Sequence, residues 1–295
     1  MFQMMNEARI AVGVGAAALA CRGYHHSLAY ARERAQGRPA VGRRRNAEVP
    51  QVPIIMHPDV RRMLLTQKVY AEGSLALVLY CARLVDEMAN AATDGAGQEA
   101  EALLGLLTPV AKSWPAEFGL AANDLAIQIH GGYGYTRDFD VEQVYRDNRL
   151  NTIHEGTHGI QAIDLVGRKI LRDNGAALVL LGERITSTIV RARRGNDLAN
   201  DAAALHRAWA DLRQEPPDKA LHNASIFLSA FGHVVVGWLW LDQALAAAGA
   251  SGSMRDVRFR SRRYFISTEL PKARQQLAFV KSLNDEAVQF ADALF

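Results

Sequence analysis

Apolar residues in this chain recur mainly at helical spacing, and runs that alternate apolar and polar are scarce, so the pattern predicts helices almost throughout. The clearest stretch is residues 60–88. Val60, Leu64, Gln67, Ala71, Ser74, Val78, Cys81, Val85 and Met88 follow at steps of four and three, a repeat of about 3.5 residues that suits a long bundle helix with near-antiparallel neighbours. Gln67 and Ser74 interrupt the stripe, so it is no ideal coiled coil. Asp59 is the expected N-cap, and a turn over residues 93–97 the expected end. Residues 6–33 predict an earlier helix, where Ala16, Ala17, Ala18 and Ala20 form a small-residue patch that a neighbour can approach closely. Between the two, residues 37–53 predict an exposed loop, since Pro39, Pro50 and Pro53 oppose helix and Arg43, Arg44 and Arg45 are charged.

Downstream, residues 98–129 predict a third helical region, in which Thr108 before Pro109 and Ser113 ahead of Pro115 mark either a helix start or a kink. A glycine-rich turn follows at residues 130–135. Asp140 then leads a short amphipathic helix bearing Val141, Val144 and Tyr145, and another helix begins near Thr157 with Ile160, Ile163, Leu165, Val166 and Ile170. A break at Asp173-Asn174-Gly175 is expected to divide the chain into residues 1–173 and 174–295. The second part predicts helices over about 176–194, 200–213, 218–248 and 254–293, with breaks at Gly195-Asn196, Pro216-Pro217 and residues 249–253. The expected fold class is all-α, an antiparallel helical bundle followed by a second helical domain.

Composition supports this picture and narrows the function classes. Hydrophobic residues at 49% and charged residues at 22% supply a core and exclude a wholly disordered chain. Aromatics are only 7%, and five of the nine prolines lie between Pro39 and Pro109, which leaves long tracts free of helix breakers. A net charge of +3 gives little encouragement to nucleic-acid or membrane-surface binding. Alternating Arg and apolar residues over 255–263 read as a solvated helix face rather than a nucleic-acid patch. No membrane span is expected, nor a secretory leader, because Glu7 and Arg9 interrupt the first apolar run. Two cysteines, Cys21 and Cys81, fit a cytoplasmic location better than a disulfide scaffold.

Two local strings could carry chemistry. His154-Glu155-Gly156-Thr157-His158 satisfies the H-E-x-x-H pattern, in which two histidines one helical turn apart hold zinc and the glutamate acts as base. Gly156 in the supposed helix and Gln161 and Asp164 at the places of further ligands count against a zinc hydrolase, although Glu183 could serve as a distant third ligand. Alternatively, Glu155 is a carboxylate just before a helix, beside free backbone N–H groups. That arrangement suits proton abstraction next to a carbonyl, and burial in an apolar pocket would strengthen it. The second string, Gly131-Gly132-Tyr133-Gly134, exposes backbone amides that suit a phosphate. It is no dinucleotide fingerprint, since no strand precedes it, and Gly13-Val14-Gly15 fails on the same ground.

In order along the chain, Asn6-Glu7-Ala8-Arg9, Tyr30 to Arg38 with Arg34-Ala35-Gln36-Gly37, Gln128-Ile129-His130-Gly131-Gly132-Tyr133-Gly134-Tyr135, and Ile153-His154-Glu155-Gly156-Thr157 form four motifs. Together they resemble the C-terminal half of the acyl-CoA dehydrogenase family over about residues 4–171. The region after Gly175 resembles the extra helical domain of that family's longer bacterial branch. The resemblance implies FAD-dependent α,β-dehydrogenation of an acyl-CoA thioester in fatty-acid metabolism. It makes Glu155 the base that takes the α-proton and Gly156 a substrate contact. Arg34 and Gln36 match positions on the FAD pyrophosphate and adenosine, and Gln128, Gly131 and Gly132 match the turn that reaches the FAD of a neighbouring subunit, so a homo-oligomer is implied. Thr157 matches a flavin contact, and Arg9 a residue near the active site and CoA. An electron-transfer flavoprotein is the implied electron acceptor.

His158-Gly159 departs from the family's usual small residue and Gln, and the Phe usual before the glycine after Arg34 is missing. The family's amino-terminal helical domain and β-domain have no counterpart in these 295 residues. The expectation is therefore a chain with base and part of the cofactor site but without the full enclosure, as in a truncated product, a fragment or one half of a split enzyme, or else a non-catalytic helical subunit or scaffold.

Overall fold

The computed structural model describes residues 2–38, 49–171, 174–195, 197–213 and 219–294. Among these the architecture is all-α, with no strand beyond an isolated bridge between Ala35 and Pro53. Three long helices make the first bundle: α1 (Phe2–Glu33), α2 (Pro58–Ala89) and α3 (Asp94–His130), each packed on the other two. The stripe read from the sequence is the inner face of α2. Leu64, Gln67, Ala71, Ser74, Val78 and Cys81 are all buried, while Val85 and Met88 at its end are not. Gln67 interrupts the apolar stripe for a reason, since its Oε1 accepts from Ser27 of α1 at 3.0 Å.

Helix boundaries differ from expectation where capping decides them. Helix α2 opens on Pro58, whose missing N–H costs nothing at a first position, and Asp59 lies in the first turn rather than at the cap. Helix α3 starts four residues early because Thr93 caps it, its side chain accepting from the Ala96 N–H at 3.3 Å. Neither Pro109 nor Pro115 ends α3; both lie inside it. Pro115 leaves the Ala111 carbonyl without its usual donor, and α1 makes a close approach at that spot. A Cβ on Gly13 would stand 2.1 Å from the Ala111 oxygen, so only glycine fits. The arginine triplet at 43–45 and Pro39 lie outside the described residues.

Helix α4 (Val141–Asn151) is tied to this bundle through Asn148, which donates to Asn123 Oδ1 at 2.6 Å. Asn123 in turn donates to the Leu19 carbonyl at 3.0 Å, joining α4, α3 and α1. The short α5 (His158–Ile163) runs on through a wide π-turn over Asp164–Ile170. Then follow α6 (Ala176–Arg193), α7 (Ala199–Arg213), α8 (Ala224–Ala246), α9 (Ser253–Tyr264), a second π-turn Phe265–Glu269, α10 (Leu270–Lys281) and the short α11 (Glu286–Gln289). The single helix expected over 254–293 is thus broken into pieces. Asp173, Asn196 and Pro216-Pro217, expected as breaks, lie outside the described residues. One contiguous core runs from Ala20 and Val69 to Val280, so the first three helices and the later ones share it.

One sequence reading needs an addition here and one a correction. No membrane span was expected, and the segment Leu221–Gly249 is nevertheless long and apolar enough to cross a membrane by length and composition. It is apolar all round because α8 lies at the centre of the later helices, touching α2, α3, α7 and α10, and 89% of its most apolar window is buried. The arginines of α9 are not all a solvated face either. Arg262 is buried against Asp201, Nε to Oδ2 at 2.8 Å, and Arg258 reaches Glu72 of α2 at 2.8 Å.

Candidate active site

The chain leaves α4 at Asn151 and turns over residues 152–157 before α5 begins. His154 N–H still bonds back to the Leu150 carbonyl at 3.0 Å, which ends the helical ladder. Two consecutive left-handed residues follow, Glu155 at φ 55° and Gly156 at φ 91°. Glycine adopts this readily, whereas the glutamate is held there at a cost of about 1 kcal/mol. Both carbonyls of the turn are held by side chains. Gln161 Nε2 donates to the Glu155 oxygen at 2.8 Å, and Lys112 Nζ, from inside α3, donates to the Gly156 oxygen at 2.6 Å. Among the described residues the Glu155 N–H has no hydrogen-bond partner.

The Glu155 carboxylate is 35% exposed and lies 3.9 Å from His154 Nε2, so the described residues leave it partly open. Around it Leu150, Ile153, Ile160 and Ile163 are each more than half exposed. Behind the turn, Arg9 of α1 and Asp164 form a buried ion pair, Nη1 to Oδ2 at 2.6 Å. Burial and the Arg9 guanidinium together pull the Lys112 pKa down to about 8, with the Glu155 carboxylate opposing them.

A second cluster lies where α1 ends and α3 turns. His130 stacks on Tyr30 at 4.3 Å, and Gly131 reverses the chain at φ 62°. The Arg34 guanidinium lies over the Tyr133 ring at 5.4 Å, so the arginine and the glycine turn, a hundred residues apart in sequence, are neighbours. Gln128, Gly131 and Gly132 are exposed beside them. Gln36 is exposed too, its backbone held by Val52 and His57.

Residues 1–171 match the family model for the C-terminal domain of acyl-CoA dehydrogenases, and residues 183–291 match that described as acetyl-CoA dehydrogenase C-terminal like. The chain belongs to the acyl-CoA dehydrogenase family. It is 38% identical over 271 residues to 3-methylmercaptopropionyl-CoA dehydrogenase of Ruegeria pomeroyi, an alignment covering 88% of this chain and 45% of that one. In fold it is similar to Caenorhabditis elegans ACDH-11 in complex with C11-CoA, at TM-score 0.74 and 20% identity over 98% of this chain and 47% of that one. It also resembles a Bacillus anthracis acyl-CoA dehydrogenase complexed with FAD, at TM-score 0.70 and 19% identity over 99% and 50%. The chain spans about half the length of the relatives it matches.

For a member of the acyl-CoA dehydrogenase family, the structure groups the sequence-derived site residues in two places. Glu155, Gly156 and Thr157 form the turn, with Arg9 behind it rather than on it, already committed to Asp164. Arg34 and the glycine turn form the other cluster. Sequence reasoning missed Lys112, Gln161 and Tyr133. Lys112 had a signal, being the only charged residue between Glu101 and Glu117; Tyr133 lay inside the glycine-turn motif without a role of its own, and Gln161 was weighed only as a place for a metal ligand. The zinc alternative fails on geometry. His154 and Glu155 sit in a turn rather than a helix, and His158 is bound to Glu117 at 2.6 Å. Among the described residues no three of His, Cys, Asp and Glu group as a metal set.

Proposed function

We propose that this chain supplies the catalytic base and part of the cofactor-binding face for FAD-dependent α,β-dehydrogenation of an acyl-CoA thioester. The observation that carries this is the Glu155–Gly156 turn, where one residue offers both a carboxylate and an unpartnered N–H. In this reading the Glu155 carboxylate takes the α-proton, while its own N–H donates to the thioester oxygen, where negative charge grows as the proton leaves. The exposed aliphatic side chains of Ile153, Ile160 and Ile163 leave room for further protein to close over the acyl group and exclude water.

FAD, when bound, supplies the acceptor for the hydride that leaves the β-carbon. The residues present fit it. Arg34 Nε is buried with no hydrogen-bond partner, and nothing stands within 4 Å of where a Cβ on Gly131 or Gly132 would be. Arg34 and Gln36 would hold pyrophosphate and adenosine. Gln128, Gly131 and Gly132 would reach the cofactor of a second copy in a homo-oligomer, and Thr157 would flank the flavin beside the base. Arg9 would support the substrate side through Asp164. An electron-transfer flavoprotein completes the proposed partners, and the two free cysteines suit a reducing cytoplasm.

The test uses the full chain, alone and with a separate amino-terminal half. A flavin spectrum that acyl-CoA bleaches is expected, with Glu155→Gln keeping the flavin and abolishing the bleaching. Absence of flavin even with that half sinks the proposal, as does bleaching that survives Glu155→Gln. A scaffold subunit would instead associate tightly with its partner and be indifferent to that substitution.

A further inference from the structure

We propose that Lys112 is a positioning residue of this site, holding the Gly156 carbonyl from within the bundle and thereby fixing the turn that presents Glu155. This rests on the reading of Glu155 as the base. Lysine is among the residues least often fully buried, yet Lys112 has no exposed surface. An ammonium carries three donors. Among the described residues Nζ makes one hydrogen bond, 2.6 Å to the Gly156 oxygen. Nothing else in α3 asks for a charge there, since the positions around it, from Leu106 and Leu107 to Trp114 and Ala116, are buried and uncharged. Placing a cation in such surroundings is unfavourable unless that one contact compensates.

The turn needs such a contact. Glu155 and Gly156 both hold positive φ, and free glycine-containing turns readily relax out of that conformation. Gln161 fixes the peptide plane after Glu155 and Lys112 the plane after Gly156. Lys112 differs from Gln161 in coming from a separate helix, 44 residues away, so it registers the turn against the rigid bundle rather than against the helix that follows. Pro109 and Pro115 flank Lys112 in α3, and its charge lies within electrostatic reach of both Arg9 and Glu155.

Hydrogen exchange of the full 295-residue chain tests this directly. In Lys112→Met, which keeps the length of the side chain and removes the donor, the hydrogen-bonded amides that border the turn, His154 to the Leu150 carbonyl and Gln161 to the Thr157 carbonyl, are expected to exchange at least tenfold faster while those of α3 and α8 stay as protected as before. Unchanged exchange at these bordering amides overturns the proposal. So does an increase spread evenly over α3, which is what a merely structural lysine would give. Should Lys112→Met not fold, the unsubstituted chain with 15N at lysine Nζ decides: a slowly exchanging ammonium coupled to the Gly156 carbonyl supports the contact, and its absence overturns it. The base is scored separately by flavin bleaching with the amino-terminal half. Turn exchange that rises without any bleaching removes the base and leaves the clamp, whereas bleaching lost in Glu155→Gln with a turn unmoved in Lys112→Met removes the clamp and leaves the base.

Discussion

Arg9 Nη1 lies 2.6 Å from Asp164 Oδ2, and each side chain is only 7% exposed. The pair joins the start of α1 to the π-turn that follows α5, and Arg168 adds a longer contact to the other Asp164 oxygen at 3.7 Å. A buried pair of this kind offsets its own desolvation only while both partners are present. Asp164→Leu leaves the Arg9 guanidinium buried and uncompensated, and is expected to cost about 3–5 kcal/mol. Adding Arg9→Met should return most of that loss. Urea unfolding of the two singles and the double gives the coupling, and equal losses that simply add would show that the two residues do not depend on each other.

The approach of α1 to α3 yields a paired prediction. Gly13 faces the Ala111 carbonyl, freed by Pro115, and a Cβ there would stand 2.1 Å from it. Gly15, two residues on, has nothing within 4 Å. Gly13→Ala is therefore expected to destabilise by about 2 kcal/mol or more, since backbone must move. Gly15→Ala should be neutral or stabilising by up to about 1 kcal/mol through helix propensity alone. Thermal melts of both variants measure the contrast, and similar midpoints would refute the close approach.

Most of the helical framework was legible because burial follows periodicity. The α2 stripe from Leu64 to Cys81 needed no tertiary information, and even its polar breaks, Gln67 and Ser74, turned out to be buried. Helix ends were less legible. Thr93 starts α3 through its side-chain oxygen and Pro58 opens α2 because it has no N–H to satisfy, and spacing alone does not choose either from the other candidate caps nearby. Glu155 and the glycine turn were visible as motifs, but their support was not. Lys112 is 44 residues from Gly156 and Asp164 is 155 from Arg9, distances at which sequence pattern carries no pairing information. The apolar run of α8 would pass for a membrane span on length and composition, and its burial by surrounding helices is what marks it as core.

The last prediction concerns pH. His233 on α8 is 1% exposed and is ringed by Trp114, Phe118 and Phe265 at 4.5–5.9 Å. Trp114 Nε1 donates to its Nδ1 at 3.3 Å, and Nε2 has no hydrogen-bond partner among the described residues. A second proton would go to Nδ1 and turn to the Ser229 carbonyl, 3.1 Å away, leaving the Trp114 N–H without its acceptor. Burial pushes the His233 pKa down, and the Ser229 carbonyl, Glu269 and Glu117 only partly oppose it. Above about pH 6.5 the imidazole is neutral in both folded and unfolded chains and contributes no pH dependence. Below that the unfolded chain binds the proton first, so stability falls as pH drops toward the lower folded-state pKa. Burial pushes His130 in the same direction, so both histidines add to this acid loss. Urea midpoints taken at about pH 7.5, 6.5 and 5.5 should fall in the unsubstituted chain, and His233→Phe should fall less, although its absolute stability is lower because Trp114 loses an acceptor. Parallel curves for the two proteins would show that His233 takes up its proton equally well in both states.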